Sequence, residues 1–192
     1  MAIVAGARSR SHSRAQPFDW WELFFMYVIK ERMFALGDDF DITDDDGRRL
    51  YHVDGKVLTL RDRLVIEDPS GTEVAAVHRH LIALRPTYEV TIGGEKAAEV
   101  RRHFFTPFRE KFTIDIPGPD DLKISGNLLD HEFTVERDGR EVATVSKRWL
   151  SIRDTYGVQI TDGENHLLIL ASVLALDLAM ARKGEDEDED DK

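Results

Sequence analysis

Cysteine is absent from this 192-residue chain, which excludes disulfides, thiolate catalysis and cysteine-based zinc sites and fits an intracellular setting. Absent too are a GxSxG elbow, a GxGxxG fingerprint and a Walker loop, so neither an activated serine nor a phosphate cradle can be argued. Positive charge is in short supply. Against 37 Asp and Glu stand 26 Lys and Arg, a net −11 at pH 7, where a duplex-binding protein is usually basic; no nucleic-acid partner is expected. Nor is there a long apolar run. The uncharged stretch 167–176 covers only about ten residues before Asp177 interrupts it, and a bilayer span needs about 20.

What is present suits one domain of ordinary size with a real core: 42% of the residues are hydrophobic. The charge is uneven. Residues 184–192 hold seven acids and one lysine, which reads as a solvated, disordered acidic tail. The first 25 residues carry the cationic run Arg8-Ser9-Arg10-Ser11-His12-Ser13-Arg14 and then an apolar stretch broken by Asp19 and Glu22, a poor match to a secretory signal. Residues 1–25 are read as a flexible leader or as sequence preceding a start at Met26, with an Arg/Ser-rich organellar transit peptide as a further reading.

The most informative feature is a repeat. GTEVAAVHRHLIALRPTYEVTI at 71–92 recurs without a gap as GREVATVSKRWLSIRDTYGVQI at 139–160, with about half the positions identical. Fainter copies begin at Gly47 and Gly94, so about four hairpin units tile the chain. Turn signals such as Asp68-Pro69-Ser70-Gly71, Gly93-Gly94 and Asp138-Gly139 separate segments in which apolar residues alternate, as in Tyr88/Val90/Ile92 and Tyr156/Val158/Ile160. The pattern predicts an antiparallel sheet of roughly twelve strands with one buried face, which closes into a barrel wider than side chains alone can fill. The plug is HLLILASVLALDLAMA at 166–181, apolar on every face and preceded by the capping sequence Asp162-Gly163-Glu164-Asn165. The expected fold is mainly β: a closed antiparallel barrel over 26–183 enclosing a buried helix at about 165–182. Asp177 should reach the barrel mouth or meet a basic partner, because an unpaired buried carboxylate is costly.

The chain resembles the LURP-one-related proteins of the tubby C-terminal-like superfamily, which also includes the phospholipid scramblases. The resemblance rests on MYVIKERMFALGDDFDITDDDG at 26–47, LYHVDGKVLTLRDRLVIEDPSG at 50–71, the tandem hairpin units and GVQITDGENHLLILASVLALDLA at 157–179. It implies a twelve-stranded barrel around a central C-terminal helix. Tubby-type domains bind phosphoinositides and scramblases are linked to lipid movement and calcium, but the resemblance transfers no catalytic residue, and the cysteines that scramblases palmitoylate are missing here.

The repeat also suggests a site. After the shared valine the units read His78-Arg79-His80, Arg101-Arg102-His103 and Ser146-Lys147-Arg148, and equivalent strand ends could bring these cations to one rim of the barrel. Arg79, Arg101, Arg102, Lys147 and Arg148 are therefore the candidate ligands for an anionic lipid head group or another anionic small molecule, since local arrangement can focus a field against the net charge. The plainer reading is that they discourage edge pairing or neutralise neighbouring acids. In the functional reading the acidic tail would compete with the ligand. Asp44-Asp45-Asp46-Gly47 lacks the first and twelfth ligands of an EF-hand, and His131-Glu132 lacks the second histidine of a metalloprotease helix. No catalytic residue, metal or cofactor is expected. The chain reads as a monomeric, non-enzymatic cytoplasmic protein, in peripheral contact with membranes on the lipid reading. A protein-interaction scaffold and a scramblase-like membrane protein are the alternatives.

Overall fold

A computed structural model describes residues 24–30, 39–55, 63–80, 87–106, 109–116, 121–149 and 155–190. The strands are β1 (Phe24–Lys30), β2 (Phe40–Thr43), β3 (Arg49–Asp54), β4 (Arg63–Glu67), β5 (Glu73–His80), β6 (Thr87–Ile92), β7 (Glu95–Thr106), β8 (Arg109–Asp115), β9 (Leu122–Asn127), β10 (Glu132–Arg137), β11 (Arg140–Ser146) and β12 (Thr155–Thr161), followed by helix α1 (His166–Asp190). Each strand pairs antiparallel with the next, and β1 closes the ring on β12 with Phe24 opposite Thr161 and Lys30 opposite Thr155. A closed barrel leaves no edge for another chain to extend.

Period-two alternation decides what faces inward. On β6 it is Tyr88 and Val90, on β10 Phe133 and Val135, on β12 Tyr156, Val158 and Ile160, all at most 3% exposed. The two similar stretches become the pairs β5·β6 and β11·β12, half a circuit apart in the strand order. Register shifts at Ile42/Thr43, Ile66/Glu67, Val90/Thr91 and Val135/Glu136 recur near the same end of the barrel, where an extra residue sharpens twist beside the hairpin turns. At Asp138-Gly139 both turn residues have positive φ, 51° and 75°, matching the right-handed twist of β10 and β11.

The plug is as its composition requires. Every residue of α1 from Leu168 to Ala179 is buried. Asn165 caps its start: the side-chain oxygen accepts from the Leu168 amide at 3.1 Å and the carbonyl from the Ile169 amide at 3.1 Å. Two boundaries differ from expectation. The strand β1 starts at Phe24, so the division at 25/26 falls inside an element whose first two residues pair with Thr161 and Ile160; a division placed at a candidate start methionine carries no information about where strand pairing begins. The helix runs to Asp190 instead of ending near 182 and takes in most of the stretch read as a disordered tail. Once nucleated, a helix adds one hydrogen bond per residue, and Glu is a good helix former.

Candidate functional site

Strand direction sorts the barrel into two ends. Odd-numbered strands run toward one end, here the upper, and even-numbered strands run back. At the lower end Tyr27 of β1 bonds His166 of α1, Oη to Nδ1 at 2.7 Å, and Phe25 meets the same imidazole edge-on with centroids 4.7 Å apart. Burial, and then the nearby Tyr51, push the Tyr27 phenol up to about 12. Arg137 ties β10 to Glu164 at 3.0 Å, just before the helix.

At the upper end the helix is fastened by a buried polar knot. Asp177, 8% exposed, accepts from the Tyr156 hydroxyl at Oδ2 and from His131 Nε2 at Oδ1, the latter at 3.0 Å. His131 also stacks on Tyr156, centroids 4.4 Å apart and rings inclined by 22°. The imidazole reaches that place because residue 131 closes the β9–β10 turn at φ 50°. With Asp177 an acceptor, Nε2 carries the proton, and the buried Nδ1 has no hydrogen-bond partner among the described residues. Asp177 thus finds the mouth position and the donors its sequence context calls for. Its partners were not foreseeable, because Tyr156 fits the inward strand pattern and His131 lies in a turn, with no local mark of either contact.

The five candidate cations lie on β5, β7 and the segment after β11, strands that share one direction, so all five belong to the upper part of the barrel. Arg79, half-buried, has the inward parity of Ala75 and Val77 and pairs across with Tyr88. Arg101 lies opposite Thr87 and Thr113 on the outer face. There it binds Glu99 at 2.7 Å and Asp115 at 3.0 Å, while Lys96 bridges Glu99 at 2.8 Å and Glu89 at 3.2 Å. The Arg101 and Lys96 hydrogen bonds pull Glu99 down to about 2. Arg102 pairs in register with Phe112; its side chain lies outside the described set. Lys147 and Arg148 follow β11, where Glu132 accepts from Ser146 Oγ at 2.9 Å and from the Lys147 amide at 3.1 Å. Arg148 stands out: its side chain is 82% exposed, and its approach to a carboxylate among the described residues is one of 3.6 Å, Nε to Glu132. The candidates therefore form two arcs. Four strand steps, about 19 Å along the wall, separate β7 from β11.

His78 and His80, which flank Arg79, share the outer face of β5. Burial and then Arg63 lower the His78 pKa, and His80 lies 3.5 Å from Glu89. Among the described residues no three His, Asp or Glu side chains converge on a common point. Among the same residues no helix is long and apolar enough to cross a membrane, and the outer faces of β5 to β8 carry the charged ladder just described, where a membrane-spanning barrel carries an apolar band.

Comparison with known proteins agrees with this architecture. A family model described as LURP-one-related matches residues 25–177. The chain is 35% identical over 162 residues to the uncharacterized protein YxjI of Bacillus subtilis (strain 168), covering 84% of this chain and 95% of that one. It is 24% identical over 170 residues to Protein LURP-one-related 15 of Arabidopsis thaliana, covering 79% and 78% respectively. An X-ray structure of an Arabidopsis thaliana protein superposes with a TM-score of 0.61 at 21% identity, covering 81% of this chain and 91% of that one, a likeness of fold alone.

Proposed function

Since the chain belongs to the LURP-one-related family, we propose that it works by binding and not by catalysis, and that its upper barrel end receives an anionic phospholipid head group or another phosphate-bearing small ligand. One observation carries this reading: β5, β7 and β11 all point to that end, bringing Arg79, Arg101, Arg102, Lys147 and Arg148 there in a chain of −11 net charge. Within the set, Lys147 and Arg148 are the primary contacts, because Arg148 is mostly solvated whereas Arg101 already has two carboxylates. Desolvating an engaged arginine gains little over the ion pairs it would leave. The acidic end of α1 leaves the barrel on the same side, since α1 rises from His166 at the lower end past Asp177 at the upper. It opposes anion approach, and the binding should be modest.

The test is co-sedimentation of the full chain with phosphatidylcholine vesicles, with and without phosphatidylserine, at low and physiological salt. Expected are pelleting with the anionic vesicles alone, weakening with salt, and loss of binding in a Lys147→Gln/Arg148→Gln variant that melts like the parent. A parallel arm with inorganic phosphate and inositol phosphates as competitors separates a free ligand from a lipid surface. Unchanged binding in the double variant would reject these contacts, and no pelleting under any condition together with no direct binding of inositol phosphates would leave a protein-binding scaffold as the account.

A further inference from the structure

Among the described residues only three large hydrophobic side chains are exposed: Phe25 at 49%, Leu129 at 68% and Trp149 at 41%. Phe25 belongs to the lower end, edge-on to His166. The other two stand at the upper end, Leu129 in the β9–β10 turn and Trp149 in the segment that follows β11. Neither is a loose tip. The Asn127 side chain bonds Asp130 at 2.6 Å, the His131 amide returns to the Leu128 carbonyl at 3.1 Å, and Leu128 packs on the core, so the turn holds Leu129 outward. Trp149 lies over the outer side of β12: a Cβ on Gly157 would meet its Cε3 at 3.0 Å and Met26 Sδ at 3.1 Å. Between these two side chains along the rim comes Arg148, whose side chain is 82% exposed, with Lys147 beside it. Of the acids on these two segments, Asp130 is held by Asn127 and Glu132 by Ser146 and the Lys147 amide.

We infer that the β9–β10 turn and the segment after β11 form a bilayer-docking edge, in which Leu129 and Trp149 enter the interfacial zone of an anionic leaflet while Arg148 and Lys147 meet its head groups. The inference rests on the lipid form of the reading above and deepens it from surface attraction to insertion. The chemistry favours a lipid surface because apolar tips and cations occur on one edge. Tryptophan is suited to the head-group boundary, where its ring is apolar and its N–H remains wet, and cations add attraction to anionic lipid. Such an edge binds through two components, one weakened by salt and one not.

The chain has no cysteine of its own, so a single introduced thiol reports on one position. Full-length Leu129→Cys carrying a polarity-sensitive dye is compared with Asp46→Cys, on the exposed β2–β3 turn at the lower end. Both are mixed with phosphatidylcholine vesicles with and without phosphatidylserine and a bilayer-embedded quencher. Expected are dehydration and quenching at 129 but not at 46, on anionic vesicles. In Leu129→Ser, affinity falls about tenfold with an unchanged salt slope, whereas Arg148→Gln flattens that slope. If the parent pellets with anionic vesicles while the dye at 129 stays hydrated and Leu129→Ser binds equally well, insertion is overturned and the cationic contact stands. Equal shielding at 46 overturns the assigned edge. Absence of pelleting by the parent overturns both readings.

Discussion

Replacing Tyr156 with Phe removes one hydroxyl from the interior and leaves the ring stacked on His131, so it isolates the bond that the phenol donates to Asp177. Tyr156 has no exposed surface and Asp177 is 8% exposed, so water cannot simply take the vacated place. Losing a hydrogen bond to a buried charged acceptor costs about 1.5–3 kcal/mol. For a domain of this size that corresponds to a fall in Tm of about 3–12 °C, from a total stability of about 5–15 kcal/mol, so the variant still folds. Scanning calorimetry with near-UV circular dichroism measures the shift, and hydrogen exchange along α1 should show the largest loss of protection around residue 177. A double-mutant cycle with Asp177→Asn adds the decisive comparison, since contacting partners couple and independent sites do not. A Tm change below about 1 °C, or the same loss in the Asp177→Asn background as in the parent, refutes the claim that this bond fastens the helix.

Other outcomes follow from the same geometry. The folded state holds Glu99 at about pKa 2, below its ordinary 4.5; the stability this gives is fully present above about pH 4.5 and is lost as pH falls toward 2. Glu99→Gln should therefore flatten the acid-unfolding profile in that window, and an unchanged profile would show that the carboxylate is not held by Arg101 and Lys96. Gly126 lies at φ +135°, where a Cβ would come 2.5 Å from the Glu132 carbonyl oxygen and 2.6 Å from Phe133 Cα. Because backbone cannot step aside, Gly126→Ala should destabilise by at least about 1–3 kcal/mol in urea unfolding, and a neutral result would mean that β9 and β10 approach less closely than described.

Much of the barrel can be read before folding because alternation is local. Tyr88/Val90 and Tyr156/Val158/Ile160 announce their inward face within a few residues, and 166–181 announces an enclosed helix by lacking any polar stripe. What stays hidden depends on partners brought together by closure. His131 and Asp177 are 46 positions apart, and their contact follows from the height at which the helix sits in the ring, which no short pattern encodes. Arg101 and Arg148 both follow the shared valine of their repeat units, yet one is engaged by Glu99 of its own strand and Asp115 of the next, while the other projects into solvent. Exposure of Leu129 is equally hidden, since the adjacent Leu128 packs on the core.

The joining of β1 to β12 has a consequence for how the protein is made. As the chain leaves the ribosome, hairpins from β2 onward can pair in turn, but the ring keeps two open edges until residues 155–161 arrive to meet Phe24–Lys30. The interior stays unfilled until the helix after them has emerged. Nearly the whole barrel must therefore be synthesised as a curled sheet with its apolar face uncovered, then sealed late by its last strand and helix. Contacts so distant in sequence slow folding, and the exposed intermediate is the species that aggregates or recruits chaperones.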